Sequence, residues 1–220
     1  MENTLIDHMQ EIISSEDAFG ELNKYQLFMT MYNSAIKEIR TKFEILNDDL
    51  SVTHNRNPIE MIKSRIKTPQ SIAEKLKRKG YPLTIESLLE NINDVAGIRV
   101  ICSFVDDIYE VANMLVVQDD IKLIKVNDYI KNPKPNGYRS YHMIVEVPVF
   151  FSNRKQNMKV EVQLRTIAMD FWASLEHKMR YKKHIANADT ITDELKYCAD
   201  IIAQTDLRMQ NINKSIIDAE

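Results

Sequence analysis

Apolar residues recur at three- and four-residue steps from about residue 22 to 50, at Phe28, Tyr32, Ala35, Ile39, Phe43, Leu46 and Leu50. That spacing predicts one face of a long helix packed against a core. Thr68 before Pro69 reads as an N-cap and first helical position, and Gly80 before Pro82 as a stop. A short helix over 69–79 follows, with Ile72, Ala73 and Leu76 inward. The period then changes. GIRVICSF (97–104), IKLIKV (121–126), SYHMIVEVPV (140–149) and MKVEVQLR (158–165) are short, β-branched and partly alternating, as strands are. DDIYEVANMLVV, between the first two, has helical spacing. Thr166 opens another helix, whose expected inner face is Ile167, Phe171, Leu175 and Met179, each four residues apart. From Ile191 on, Ile191, Leu195, Cys198, Ile202, Thr205, Met209, Ile212 and Ile216 form a heptad pattern, which either the N-terminal helix or a second subunit could cover. The expected fold is mixed α/β, a sheet covered by helices.

Composition narrows the class. Hydrophobic residues make up 44% of the 220 and charged residues 28%, as in a globular protein rather than a fibrous or disordered one. No apolar run approaches the roughly 18 residues a membrane span needs, and the acidic start MENTLIDHMQE lacks a signal peptide's basic and apolar blocks. The expected location is the cytoplasm, with no membrane partner. Cys102 and Cys198 have no metal-site spacing and are expected as small buried thiols. The net charge is only −3, yet Arg56, Lys63, Arg65, Lys67, Lys75, Lys77, Arg78 and Lys79 cluster within residues 56–79. That cluster is either a solvated helix face or an anion site.

The chain has no G-x-x-x-x-G-K-[ST] loop and no G-x-G-x-x-G turn, because Gly20, Gly80, Gly97 and Gly137 stand alone. If it handles phosphates, Lys and Arg side chains must do so. It also lacks a His-Asp dipeptide and any His/Cys cluster with metal-ligand spacing. As a strand, VEVQLRT (160–166) puts Glu161, Gln163 and Arg165 on one face and Val162 and Leu164 in the core. In NDVAGIRVI (93–101), Asp94 precedes a strand and Arg99 lies on it, so Asp94 and Glu161 are a candidate pair for Mg²⁺. Arg65 and Lys67 in SRIK would share a side if extended. Two carboxylates and a basic set are what phosphoryl-type transfer requires. In PKPNGYRSYHMIVEV (133–147), a strand starting near 138 would send Tyr138, Ser140 and His142 one way and Arg139, Tyr141 and Met143 the other. Tyr138 is then a platform for a nucleobase, with Lys134 and Asn136 in the turn ahead, or an ordinary packing residue.

Together and in this order, RIK…SIAEK, NDVAGIR, PKPNGYRSYH and VEVQLRT…WASLEH resemble the synthetase domain of the RelA/SpoT alarmone enzymes. The motifs span roughly residues 58–182, and the chain as a whole looks like a stand-alone small alarmone synthetase. The resemblance implies a single domain, with a helical N-terminal region (1–55), a catalytic core (56–182) and a C-terminal helix (188–220). It implies a mixed, mainly five-stranded sheet related to nucleotidyltransferases. The implied reaction is transfer of the β,γ-pyrophosphoryl group of ATP to the ribose 3′-hydroxyl of GDP or GTP, giving ppGpp or pppGpp, with Mg²⁺ as cofactor.

Carried over by position, the resemblance sets Arg65 and Arg99 around adenine and Lys67, Lys75 and Arg78 on the phosphates of ATP. Asp94 and Glu161 would bind Mg²⁺, with Glu161 also accepting the 3′-hydroxyl proton. Tyr138 would stack on guanine, with Lys134, Asn136, His142, Gln163 and Arg165 around the acceptor. Trp172, Glu176 and His177 match the family's next helix. The resemblance further implies a homotetramer. Met61 and Lys63 in PIEMIKSR stand where the RelQ type places the aromatic and hydroxyl residues of an allosteric alarmone site, and with its extra N-terminal residues the chain looks closer to the RelP type. Two alternatives remain open: a relative that pyrophosphorylates the 3′ end of tRNA, and a non-catalytic RNA-binding protein. Moderate basic content and net acidity favour a small nucleotide over tRNA, and a pure binder would have no need of Asp94 and Glu161 facing one site.

Overall fold

The computed structural model describes residues 17–53, 56–180 and 188–219. The parts of the expected regions at 1–16, 54–55, 181–187 and 220 lie outside them. The elements are α1 (Asp17–Thr53), β1 (Ile59–Ile66), α2 (Pro69–Lys79), α3 (Ile85–Asn91), β2 (Ala96–Cys102), α4 (Val105–Val116), β3 (Lys122–Asp128), β4 (Tyr141–Phe150), β5 (Lys155–Thr166), α5 (Ile167–Arg180) and α6 (Ala188–Ile217). The five strands form one sheet in the order β1-β2-β5-β4-β3. It is mixed: β2 and β5 run parallel, and every other neighbouring pair is antiparallel.

Alternation divides the two faces. Ile98, Val162 and Met143 share one row and belong to the buried cluster that α1 completes with Phe28, Tyr32, Ala35, Ile39 and Phe43. α4 adds Ile108, Val111, Ala112 and Leu115. The larger of these side chains, such as Ile39, Phe43 and Leu115, each contribute about 1.5–3 kcal/mol by leaving water, so this face anchors the fold. The opposite face carries Lys63, Arg99, Gln163, His142 and Asn127 in one row across all five strands. The next row holds Arg65, Gly97, Glu161 and Ile144.

α2 begins and ends as its sequence predicts. The Thr68 side chain accepts from Ser71 N, and Gly80, at φ 73°, closes the helix with its N–H turned to the carbonyls of Leu76 and Lys77. α3 was not anticipated; Thr84 caps it by accepting from Ser87 N. The basic run over 56–79 is not one helix face, because Lys63 and Arg65 lie on β1 and Lys75–Lys79 on α2.

Three other expectations are corrected. On α5, Ile167, Phe171, Leu175 and Met179 are exposed, whereas Met169, Trp172 and Ala173 are buried. α6 fixes that choice: Trp172 and Ala173 pack with Leu195 and Ala199, and Trp172 Nε1 donates to Leu195 O at 2.9 Å. α6 lies on α5 and α4 rather than along α1. Its heptad stripe therefore splits: Leu195 is buried and Ile202 partly so, while Met209, Ile212 and Ile216 are exposed. The far half buries polar residues instead, Asp206 bonded to Thr166 and Gln210 bonded to Asp106 N. Finally, Cys102 is buried but Cys198 is exposed.

Candidate functional site

At one end of the polar face, the backbone after β1 is tied to the turn before β2 by Lys67 N donating to Val95 O at 2.8 Å. This places Lys67 against Asp94. Lys67 Nζ and Lys75 Nζ, the latter from α2, both donate to Asp94 Oδ2 at 2.6 Å. Burial pushes the Asp94 carboxyl up, but its two lysine partners outweigh that and hold it below the ordinary carboxylate range. Asp94 Oδ1 is buried and has no hydrogen-bond partner. Arg78, one turn beyond Lys75, is exposed with Lys77 and Lys79 in the last turn of α2.

Beside this pair, Lys63, Arg65, Gly97, Arg99 and Gln163 line a cavity of about 310 Å³. The Arg65 stem lies across Gly97, where a Cβ would stand 3.7 Å from Arg65 Cγ. Arg99 Nη1 donates to Asp170 Oδ1 on α5 at 3.1 Å, while Arg99 Nε is buried without an acceptor.

Glu161 occupies the middle of the face. Gln163 Nε2 donates to its Oε2 at 2.8 Å, and His142 Nδ1 lies 3.7 Å from its Oε1. Burial raises this carboxyl; the hydrogen bond from His142, its charge when protonated, and the Gln163 amide outweigh burial and keep it low, with Asp94 pushing the other way. Glu161 is therefore an ionised acceptor within electrostatic reach of a second carboxylate.

Beyond it, Tyr138 Oη and His142 Nε2 are 2.8 Å apart, and Arg165 Nη2 donates to Tyr138 Oη at 2.7 Å. Where the Tyr138 hydroxyl, accepting from Arg165, gives its proton to Nε2, the neutral His142 ring carries its own proton on Nδ1, facing Glu161. β4 begins only at Tyr141, so Tyr138 and Ser140 precede the strand. Ser140 does not continue the row of Tyr138 and His142: it is buried and donates to Leu164 O at 3.1 Å. Arg165 is 4% exposed, with its guanidinium 5.1 Å from the Tyr138 ring centre. The Lys134 ammonium lies 4.7 Å from the Tyr129 ring centre and 4.9 Å from that of Tyr138. Asn136 closes the turn, its Oδ1 accepting from Tyr138 N and its Nδ2 donating to Glu176.

Thus Lys67, Lys75 and Asp94 form one group, and Glu161, Gln163, His142, Tyr138 and Arg165 a second, with Arg65 and Arg99 at the cavity between strands β1, β2 and β5. Sequence reasoning missed Asp170, Tyr129 and Arg139. The signal for Asp170 was a lone acid in an apolar helical turn directly after an arginine-bearing strand. Arg139 holds α6 to the 133–140 turn, donating to Ala199 O at 3.2 Å and Asp200 Oδ1 at 3.0 Å.

Residues 64–186 match the family described as "Region found in RelA / SpoT proteins". The GTP pyrophosphokinase YwaC of Bacillus subtilis is 48% identical over 188 residues, covering 86% of this chain and 90% of that protein. The GTP pyrophosphokinase YjbM of the same organism is 32% identical over 197 residues, covering 90% and 92%. Among solved structures, small alarmone synthetase 2 from Bacillus subtilis superposes with a TM-score of 0.78 at 46% identity, covering 87% of this chain and 98% of that one. Small alarmone synthetase 1 bound to its product pppGpp superposes at 0.80 and 33% identity, covering 88% and 98%. Matched by the family model over more than half of its length and 48% identical to a relative across 86% of it, the chain belongs to the RelA/SpoT family.

Proposed function

We propose that the protein is a cytoplasmic GTP/GDP pyrophosphokinase, moving the β,γ-pyrophosphoryl group of ATP to the 3′-hydroxyl of GDP or GTP. The observation that carries this reading is the setting of Glu161. It is an ionised carboxylate between a lysine-held carboxylate, Asp94, and the Tyr138–His142 pair, beside a basic cavity. The relatives named GTP pyrophosphokinase, and the neighbour bound to pppGpp, favour a guanine nucleotide as acceptor.

In this reading Arg65 and Arg99 flank adenine, and Lys67, Lys75 and Arg78 hold the phosphates of ATP. On the acceptor side Tyr138 stacks on guanine, and Lys134, Asn136, His142 and Gln163 surround the nucleotide. Arg165, buried beneath Tyr138, steadies the ring from behind. The acceptor 3′-oxygen bonds to the β-phosphorus, the bond from that phosphorus to the α–β bridging oxygen breaks, and AMP leaves. The hydroxyl proton passes to Glu161. Fixed alignment of hydroxyl and phosphorus, and cationic side chains around the polyphosphate, account for most of the barrier reduction.

Asp94 and Glu161 would hold Mg²⁺. The unpartnered buried Asp94 Oδ1 fits a cation ligand, and two carboxylates are the usual protein share when nucleotide phosphates complete the shell. Bound there, the cation would neutralise charge on the transferring group. A homotetramer is part of the same proposal, supported by the exposed apolar stripes Ile167, Phe171, Leu175 and Met179 on α5 and Met209, Ile212 and Ile216 on α6. Light scattering that returns a monomer would contradict it.

The function is tested by incubating the protein with labelled ATP and Mg²⁺ and, separately, GDP, GTP and tRNA. Label on GDP or GTP is expected. Label on tRNA alone would move the chain to the tRNA-modifying relatives, and no labelled acceptor would overturn the reading.

A further inference from the structure

Asp170 takes no part in the steps above, yet it stands where the two halves of the site meet. It lies one turn into α5 with its side chain 13% exposed. Its Oδ1 accepts from Arg99 Nη1 and from Arg165 Nη1, each at 3.1 Å. Oδ2 lies 3.9 Å from Lys63 Nζ, but that lysine is 54% exposed, and so loose a pair adds little.

The two arginines are not natural neighbours. They project from parallel strands, with Arg99 paired to Gln163 and Arg165 to Ile101, two residues further on. Both sit in a partly buried setting, at 28% and 5% side-chain exposure. Burial first, and Arg165 next, disfavour the charge on Arg99, while Asp170 supports it. One carboxylate oxygen thus bridges two cations that would otherwise repel.

From Arg165 the contacts run through Tyr138 and His142 to Glu161, the acceptor side. From Arg99 they run to the cavity on the donor side. We propose that Asp170 is a positioning residue that ties the donor cleft to the acceptor face by holding Arg99 and Arg165 on one oxygen. The assignment of donor and acceptor sides rests on the functional reading above.

The two arms are unequal. Arg165 keeps Ser140, Gln163 and Tyr138 as acceptors if Asp170 is removed. Arg99 keeps far less, because its Nε already lacks one. Loss of Asp170 therefore frees Arg99 most, while Arg165 loses one of its four acceptors and the Tyr138–His142–Glu161 series is loosened less.

The test is a double-mutant cycle on the full chain with Asp170→Ala, Arg99→Ala and the pair, with Asp170→Asn as the conservative variant. Binding of a non-hydrolysable ATP analogue and of GDP is measured separately by calorimetry, beside kcat and the melting temperature. Asp170→Ala is expected to weaken the ATP analogue about tenfold and GDP less, and to lower kcat by about 10–100-fold. In the Arg99→Ala background it should weaken the analogue no further. Asp170→Asn, which keeps an oxygen acceptor without the charge, should recover part of the loss. Unchanged analogue binding, additive effects in the cycle, or a loss confined to GDP would each overturn the proposal. The binding arms stand apart from turnover: a wild type that binds both nucleotides but makes no product would sink the pyrophosphokinase reading and leave the cycle to judge Asp170.

Discussion

Gly137 lies so close to the C-terminal helix that a Cβ on it would fall 2.5 Å from the Cβ of Ala199 and 3.2 Å from Lys196 Cα. Its φ of 87° is also one that side-chain-bearing residues rarely adopt. Two independent constraints thus require glycine in the turn that presents Tyr138.

Gly137→Ala should therefore do more than stiffen a loop. It should destabilise the protein by about 1–3 kcal/mol, lowering the melting temperature by roughly 2–12 °C for a chain of this size. It should also weaken GDP more than ATP. Ala199→Gly in the same chain relieves the Ala199 contact but neither the approach to Lys196 Cα nor the φ, and it costs about 1 kcal/mol in the helix, so it should restore only part of the stability. Full restoration would mean that the Ala199 contact outweighs the φ.

Tyr138 combines a ring and a hydroxyl with separable uses. Tyr138→Phe keeps the ring over Arg165 but breaks the link from Arg165 to His142. The expected result is near-normal KM for GDP with kcat lowered about tenfold or more. Tyr138→Ala should impair use of the guanine nucleotide far more than binding of ATP. Equal losses for both nucleotides would make the ring merely structural.

Glu161→Gln preserves shape and removes the proton acceptor, so kcat should fall by about 10²–10⁴-fold while the melting temperature changes little. Asp94→Asn should be equally inactive but less stable, because Lys67 and Lys75 lose their shared counter-charge. Chelation of divalent cations should stop transfer by the wild type. Near-normal turnover in either variant contradicts the site.

Acid–base linkage offers a check remote from the chemistry. Asp206 is 7% exposed, and burial raises its pKa despite the hydrogen bond from Thr166. A carboxyl raised on folding favours the native state only while protonated, below its unfolded value of about 3.9. That contribution is lost as pH rises through the higher folded value. Asp206→Asn should raise stability at neutral pH, with no gain at about pH 3. Melting curves across that range would show it, and a loss at neutral pH would contradict the account.

Periodicity revealed most of the fold because α1, α2 and the central strands each bury one regular face. It failed on α5, where both sides are apolar: the run from Ile167 to Met179 is as regular as any core stripe, and only the docking of α6 on Trp172 and Ala173 decides which side is inside. α3 is only seven residues long and leaves little periodic signal. In the site, strand alternation correctly put Glu161, Gln163 and Arg165 together. It could not show that Arg165 turns under Tyr138, or that Ser140 turns inward to Leu164 O, since those depend on partners over twenty residues away. Asp170 left a local signal beside Arg165, but its bond to Arg99, 71 residues away, could not be read from the sequence.

The central claim is that the β- and γ-phosphoryl groups move together onto a guanine nucleotide, and ATP labelled at the β-phosphorus tests it most directly. With Mg²⁺ and GDP, the label should appear on the guanosine product, with unlabelled AMP formed in equal amount, and Glu161→Gln should slow both by about 10²–10⁴-fold. Label recovered in ADP or in free pyrophosphate, with GDP unchanged, would contradict it.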